Sequence, residues 1–288
     1  MMKEIDELVS EEQLKKYAEL AVRAGVNVQK NQLVIIHSDI KNVMFARLVQ
    51  TAAYEAGASN VVIDWTDEQS TKEFYLHAAE EAIDHVPDWQ NARFKEWDDE
   101  GAAYIHIISE NLDVFKDVST ERISRFQKAS RSKLKVHHAK IRSHEVRWCL
   151  LAVPYFAWAT NVFPDLSKEE ALQALWQLIL RGARADGENP IKDWEAHDRA
   201  FESRKKFLND SQFEALHFTN SRGTDLLIGM PKNHCYIGGG VTDKMGIPFF
   251  PNIPTEEIFS APHKNKVNGK LVATKPLIYG EVLSMIFT

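Results

Sequence analysis

Two kinds of apolar pattern divide the chain. The first recurs at helical spacing. Leu14, Tyr17, Ala18, Ala21 and Val22 follow Ser10-Glu11-Glu12-Gln13, a capping box in which the serine hydroxyl accepts from an orphan amide and Gln13 reaches back, and Gly25 ends the pattern. Ser167-Lys168-Glu169-Glu170 is a second capping box. Leu172, Leu175, Trp176 and Ile179 form the buried stripe of its helix, which closes near Gly182. The spacing predicts further helices over about 41–57, 67–83, 88–100 and 190–208, and a basic amphipathic one over about 120–131. The second pattern is a solid apolar run, at 33–36, 60–65, 102–108 and 148–153. Runs without alternation predict strands buried on both faces.

Strands alternating with helices of this length make βαβ units. The fold class expected for the N-terminal part is therefore α/β, a mainly parallel sheet with helices on both faces. The pattern changes at Asn209-Asp210-Ser211. From residue 212 onward short strands and turns follow one another. Residues 213–219 and 225–229 flank Asn220-Ser221-Arg222-Gly223-Thr224, a hairpin signature, and glycines at 238–240 and prolines at 248, 251, 254 and 262 punctuate the rest. The expected organisation is an α/β domain, residues 1–210, followed by a β-rich α+β domain, residues 211–288. The second is only about 80 residues, small for a core of its own. It stops inside a strand-like apolar segment, 277–288, with no charged tail, so the expectation is an incomplete domain.

Composition narrows the class. Apolar residues are 44% and charged residues 26%, the mix of a globular chain rather than a disordered, collagen-like or coiled-coil one. Acids number 41 against 35 bases, a net charge of −6, so no global attraction draws the chain to nucleic acid or to an anionic membrane. Residues 1–7 carry mixed charge and no apolar stretch of a secretory signal. The longest apolar run, 148–159, is broken by Pro154 and is well short of the roughly 20 residues a spanning helix needs. The two cysteines, Cys149 and Cys235, form no C-x-x-C pair, and Cys149 reads as a buried thiol. A reduced cytoplasmic protein without nucleic-acid or membrane partners is expected.

Several constellations bear on chemistry. His37-Ser38-Asp39-Ile40-Lys41 follows the first strand, where open parallel sheets bind ligands, but no G-x-G-x-x-G stands there. Ser38 or Asp39 is expected to cap the next helix; the alternative is a non-catalytic ligand-binding module with its site at 37–41. His137-His138 and His144-Glu145 read as a solvated charged segment, and Trp148 excludes the H-E-x-x-H pattern. Gly238-Gly239-Gly240 lacks the Lys-Ser/Thr of a phosphate loop and reads as a turn or bulge, and no G-x-S-x-G is present.

The segment 251–263 stands apart. Prolines stiffen the backbone before Glu256-Glu257, and extended backbone throws the two acids to opposite faces, so that one carboxylate can face a cleft. A carboxylate on a stiff backbone suits a cation such as zinc, cobalt or magnesium.

Asn252-Ile253-Pro254-Thr255-Glu256-Glu257-Ile258-Phe259-Ser260-Ala261-Pro262-His263 resembles the signature N-x-P-T-E-E-x-F-x-A-P-H of the thermophilic-type metalloaminopeptidases. Asn161-Val162-Phe163-Pro164, Leu175-Trp176, Trp194-Glu195-Ala196-His197, Ala215-Leu216-His217-Phe218 and Gly223-Thr224-Asp225-Leu226 resemble the same family in order, so the resemblance spans nearly the whole chain. It implies a cytoplasmic homodimeric hydrolase that removes N-terminal residues from peptides with two divalent ions (zinc, cobalt or magnesium). A metal-bound water attacks the scissile carbonyl. The family's first metal-ligating glutamate corresponds to Glu257, with Glu256 only a neighbour. The remaining ligands, the general base and a catalytic tyrosine belong to a stretch C-terminal to Thr288. One carboxylate does not hold two metal ions. The expectation is thus a truncated family member that is silent by itself, with no metal bound.

Overall fold

The computed structural model describes residues 8–109, 111, 113–274 and 284–288. Among them the helices are α1 (Glu11–Leu20), α2 (Val43–Glu55), α3 (Glu68–His77), α4 (Glu80–Ile83), α5 (Asp88–Asp99), α6 (Thr120–Lys133), α7 (Lys135–Arg142), α8 (Phe156–Val162), α9 (Lys168–Gly182) and α10 (Pro190–Ser211). The strands are β1 (Leu33–Asp39), β2 (Asn60–Thr66), β3 (Ala103–Ile108), β4 (Trp148–Ala152), β5 (Ala215–Thr219), β6 (Asp225–Gly229), β7 (Ile237–Gly238), β8 (Val241–Thr242), β9 (Pro248–Phe249), β10 (Asn252–Ile253), β11 (Ile258–Phe259), β12 (Val267–Val272) and β13 (Ser284–Phe287). Packing divides the chain into two compact units, 1–196 with 240–255, and 197–239 with 256–288.

The first unit is built on a five-stranded sheet in the order β10-β4-β3-β1-β2, every pair parallel. Parallel neighbours need crossovers, which the helices supply. Side chains of the central strands alternate between two layers. Val34, Ile36, Ala103, Ile105 and Ile107 join one buried cluster, in which the rings of Tyr17, Phe45 and Trp176 from α1, α2 and α9 meet at 5.3 and 6.3 Å. Ile35 and Tyr104 face the other way, against Phe94 and Trp97 of α5 and Ile141 of α7. Helices therefore cover both faces, as the solid apolar runs require. The run at 60–65 departs from this rule. β2 is an edge strand, and Trp65 at its end is exposed.

Caps follow the sequence closely. Ser167 and Glu170 make both arms of their box; at Ser10 the hydroxyl accepts from the Gln13 amide, while the Gln13 side chain meets that hydroxyl at 3.1 Å instead of the backbone. Past α1 the chain continues as a π-helical turn, Ala21–Gly25. A methyl group on Gly25 would lie 2.7 Å from the Cys149 sulfur, so this glycine is required by the close approach of the turn to β4. Cys149 is fully buried, and burial pushes its thiol pKa up.

Some elements differ from the periodicity. The 67–83 pattern is two helices, parted by extended backbone at Ala78 and Ala79. The run 148–159 splits at Pro154 into β4 and α8, because proline disfavours both continuation of the ladder and the α conformation before it. The basic helix α6 spends its charge within the unit: Arg122 pairs with Glu80, and Arg125 with Asp84 at 3.0 Å.

Residues 197–210, read from the sequence with the first domain, group with the second unit, and 240–255 group with the first. Contacts far apart in sequence draw 240–255 there. β10 pairs with β4, the Phe250 amide donates to the Gly25 carbonyl at 2.8 Å, and Asp243 forms a buried ion pair with Arg147 at 3.3 Å. The second unit holds an antiparallel sheet, β13-β12-β6-β5, which includes the expected hairpin, and a small β11-β7 pair. Of the strand expected over 277–288, residues 277–283 lie outside the described residues. No helix among the described residues is long and apolar enough to cross a membrane.

Candidate functional site

Residues 251–263 run through both units, and each part is held differently. In the first unit Ile253 is buried in β10, Pro254 is exposed and Thr255 is buried again. Extended alternation persists to Glu256, which is exposed, and then breaks, because Glu257 is exposed as well. The two acids do not part into a buried and an exposed face, as strand geometry alone predicts; no strand pairs residues 254–257.

In the second unit the two acids differ in their partners. The Glu256 carboxylate lies 3.6 Å from Nε2 of His197, a buried ring that meets Phe201 edge-on at 4.7 Å between centroids. Glu257 forms no ion pair among the described residues. The backbone that follows it is paired, Ile258 with Gly238 and Phe259 with Ile237, and the Ser260 hydroxyl donates to the Cys235 carbonyl at 2.8 Å. The run 238–240 is thus a strand and turn beside the acidic pair, with no phosphate-loop geometry. A Cβ at position 238 would sit 2.2 Å from the Glu257 carbonyl oxygen and 3.1 Å from the Ile258 Cα. Gly238→Ala is therefore expected to destabilise this unit by about 1–3 kcal/mol through forced separation of β7 and β11. Hydrogen exchange checks it: the amides of 258–259 should lose protection, and unchanged protection would refute the contact.

Among the described residues, no three or more His, Cys, Asp or Glu side chains are grouped so as to hold a metal ion. Glu257 has the exposure and the hard oxygen donors a divalent ion requires, but the described residues do not by themselves fit a two-ion centre.

The segment 37–41 lies at the C-terminal ends of β1 and β3, where the strand order reverses. Asp39 is the cap, accepting from the amides of Lys41 and Glu68 at 3.0 Å each. Lys41 is engaged by Glu68 at 2.7 Å and lies 5.1 Å from the Tyr155 ring centre. His37 points into a ring stack. It lies 4.8 Å from His106, with Nδ1 3.0 Å from Asp64, which also accepts from Arg93 at 2.8 Å. Burial alone would raise the Asp64 pKa; hydrogen bonds and charge from His37 and Arg93 outweigh it and hold the carboxyl below the usual range.

His137 is not solvated. It is buried on α7, with Nδ1 3.0 Å from Asp98, which also accepts from the Tyr104 hydroxyl at 2.8 Å. The reversal has a physical cause. A basic helix surrounds the residue in sequence, but an acid on α5 meets it in space. His144 lies apart from this cluster, in a left-handed turn against Phe249. His197 was legible only as part of a matched stretch, and its tie to Glu256 had no local signal.

The chain combines a parallel α/β unit with a β-rich unit that carries the exposed acidic pair. The sequence profile of the thermophilic metalloprotease family (M29) matches residues 10–285, and the chain belongs to that family, a family of hydrolases. It is similar to aminopeptidase AmpS of Bacillus subtilis (38% identity over 277 residues, 96% of this chain and 67% of the relative) and to aminopeptidase T of Thermus thermophilus (37% over 270 residues, 94% and 66%). The solved structure of wild-type AmpT from Thermus thermophilus superposes with a TM-score of 0.86 at 35% identity, over 93% of this chain and 66% of that one. The chain thus spans about two thirds of the length of these relatives.

Proposed function

We propose that this chain serves metal-dependent removal of N-terminal residues from peptides, a cytoplasmic activity of a homodimer that employs two divalent ions of zinc, cobalt or magnesium, and that Glu257 supplies one ligand oxygen. The observation that carries the reading is the contrast within the acidic pair. Glu256 is tied to His197, whereas Glu257 presents an exposed carboxylate immediately before the strand that pairs with β7. The names of the relatives, all aminopeptidases, support the reaction class.

A lone carboxylate does not hold two ions, and the 288 residues alone are expected to be catalytically silent. The purified chain, assayed on leucyl and arginyl amides with added cobalt or zinc, should release no amine. Robust metal-dependent turnover would overturn this and require further ligands. The competing reading, a non-catalytic ligand-binding module at 37–41, has the state of Lys41 against it for an anionic ligand, since Glu68 already meets that charge.

A further inference from the structure

We infer that one face of the antiparallel sheet in the second unit is a docking surface for a separate polypeptide, one equivalent to the third of the family's aminopeptidases that this chain does not match. The inference rests on family membership and not on the assignment of Glu257. The register defines the face. Phe218 of β5 lies beside Leu226 of β6, Leu226 beside Gly269 of β12, and Gly269 beside Phe287 of β13, an uncharged row across all four strands. Two residues along runs a second such row, Leu216, Ile228 and Val267. Successive rows point to opposite faces. The row next to the first, Thr219, Asp225, Lys270 and Ile286, therefore points the other way, and it carries two charges.

Such alternation belongs to an antiparallel sheet with one face packed and one in water. The packing layer is not found among the described residues. Leu226 is buried, but Phe218 is 48% exposed, and Leu216, Ile228, Val267 and Phe287 are half-buried. None of them joins a buried hydrophobic cluster, whereas Val34 and Ile36 of the first unit's sheet are 0% exposed and both do. An apolar sheet face needs a second layer, about 10 Å above it. The relatives decide between occupants. The family profile runs through residue 285, into β13, and each relative carries about a third of its length outside the matched stretch. The same sheet in a relative has the same need, and that extra third is the material that meets it. A second copy of this chain fits less well. Four strands about 4.8 Å apart and some five residues long, at about 3.3 Å each, span roughly 19 by 17 Å. Two such faces together remove roughly 650 Å² in projection, short of the about 1,000 Å² of a stable interface. Because the face is uncharged, its occupant must present apolar groups and no unpaired charge.

The test is a titration of the purified, methyl-labelled 288-residue chain with the separately purified third of aminopeptidase AmpS that the chain does not match. Saturable methyl shifts are expected at Leu216, Leu226 and Ile228, and none at Leu227 and Ile286, which point to the opposite face. Phe218→Asp, at an exposed position of an edge strand, should weaken binding about tenfold or more, because it brings a charge into an apolar contact. Ile286→Asp should leave binding unchanged. A chimera of the two pieces keeps the test decisive where the isolated third does not fold. In it a soluble paramagnetic probe should broaden Leu216 and Ile228 less than in the chain alone, with Leu227 and Ile286 unaffected. Absence of saturable shifts with a folded third, shifts on the opposite face, equal effects of the two substitutions, or unchanged broadening in the chimera would each overturn the proposal. So would stable dimers of the chain alone by light scattering, with the same methyls shifted, since the face then belongs to a second copy.

Discussion

Glu257→Ala is expected to lower peptide-amide turnover by on the order of 10³-fold or more, and Glu256→Ala by no more than about tenfold, in a chimera that joins this chain to the third of the Bacillus subtilis relative that it does not match. The first figure follows from the several kcal/mol that a metal centre contributes, at about 1.4 kcal/mol per factor of ten. The second follows from geometry. Glu256 is engaged by His197 at 3.6 Å, so its loss frees a buried imidazole without removing a ligand. Metal content measured beside turnover separates the cases. Glu257→Ala should lose bound metal together with activity, whereas Glu256→Ala should keep its metal. Equal losses from both substitutions would show that the ligand is misassigned.

Acidification below about pH 6.5 is expected to destabilise the first unit, and His106→Phe to remove much of that sensitivity. Burial first, then the neighbouring charges of His37 and His137, push the pKa of His106 down to about 3. In the unfolded chain a histidine titrates near 6.5. Between these values the unfolded state binds a proton that the folded state does not, so stability rises with pH across that window. The contribution is complete above pH 6.5 and falls by up to about 1.4 kcal/mol per pH unit on acidification. Asp64, whose folded pKa is lowered, adds its own loss only as pH falls below about 4. The other charged groups around the stack, Arg93 and Asp98, remain in the variant. Urea midpoints at several pH values between 4.5 and 7 measure the effect. The unsubstituted chain should show the steeper slope, and equal slopes would dismiss His106 as the cause.

Much of the fold was legible because its determinants are local. Ser10 and Ser167 begin helices through bonds to amides three residues on, and such bonds leave a short signature. The apolar runs of β1, β3 and β4 announced burial on two faces because most of their side chains join one of the two buried layers. β2 carries the same kind of run at an edge, a placement that depends on pairing order and leaves no local trace. The candidate ligand was legible in a different way. Spacing offered Glu256 and Glu257 alike, and the family resemblance alone singled out Glu257.

The order of helices and strands, the turn glycines and the acidic dipeptide were determined by residues a few positions apart, whose periodicity and capping act before any long-range contact forms. Tertiary structure alone decided which charges meet. Asp98 takes His137 out of water, Asp243 reaches Arg147 across 96 positions to return 240–255 to the first unit, and His197 engages Glu256 while Glu257 stays exposed. These outcomes depend on the distance between groups in the folded chain, and a linear pattern carries no record of that distance.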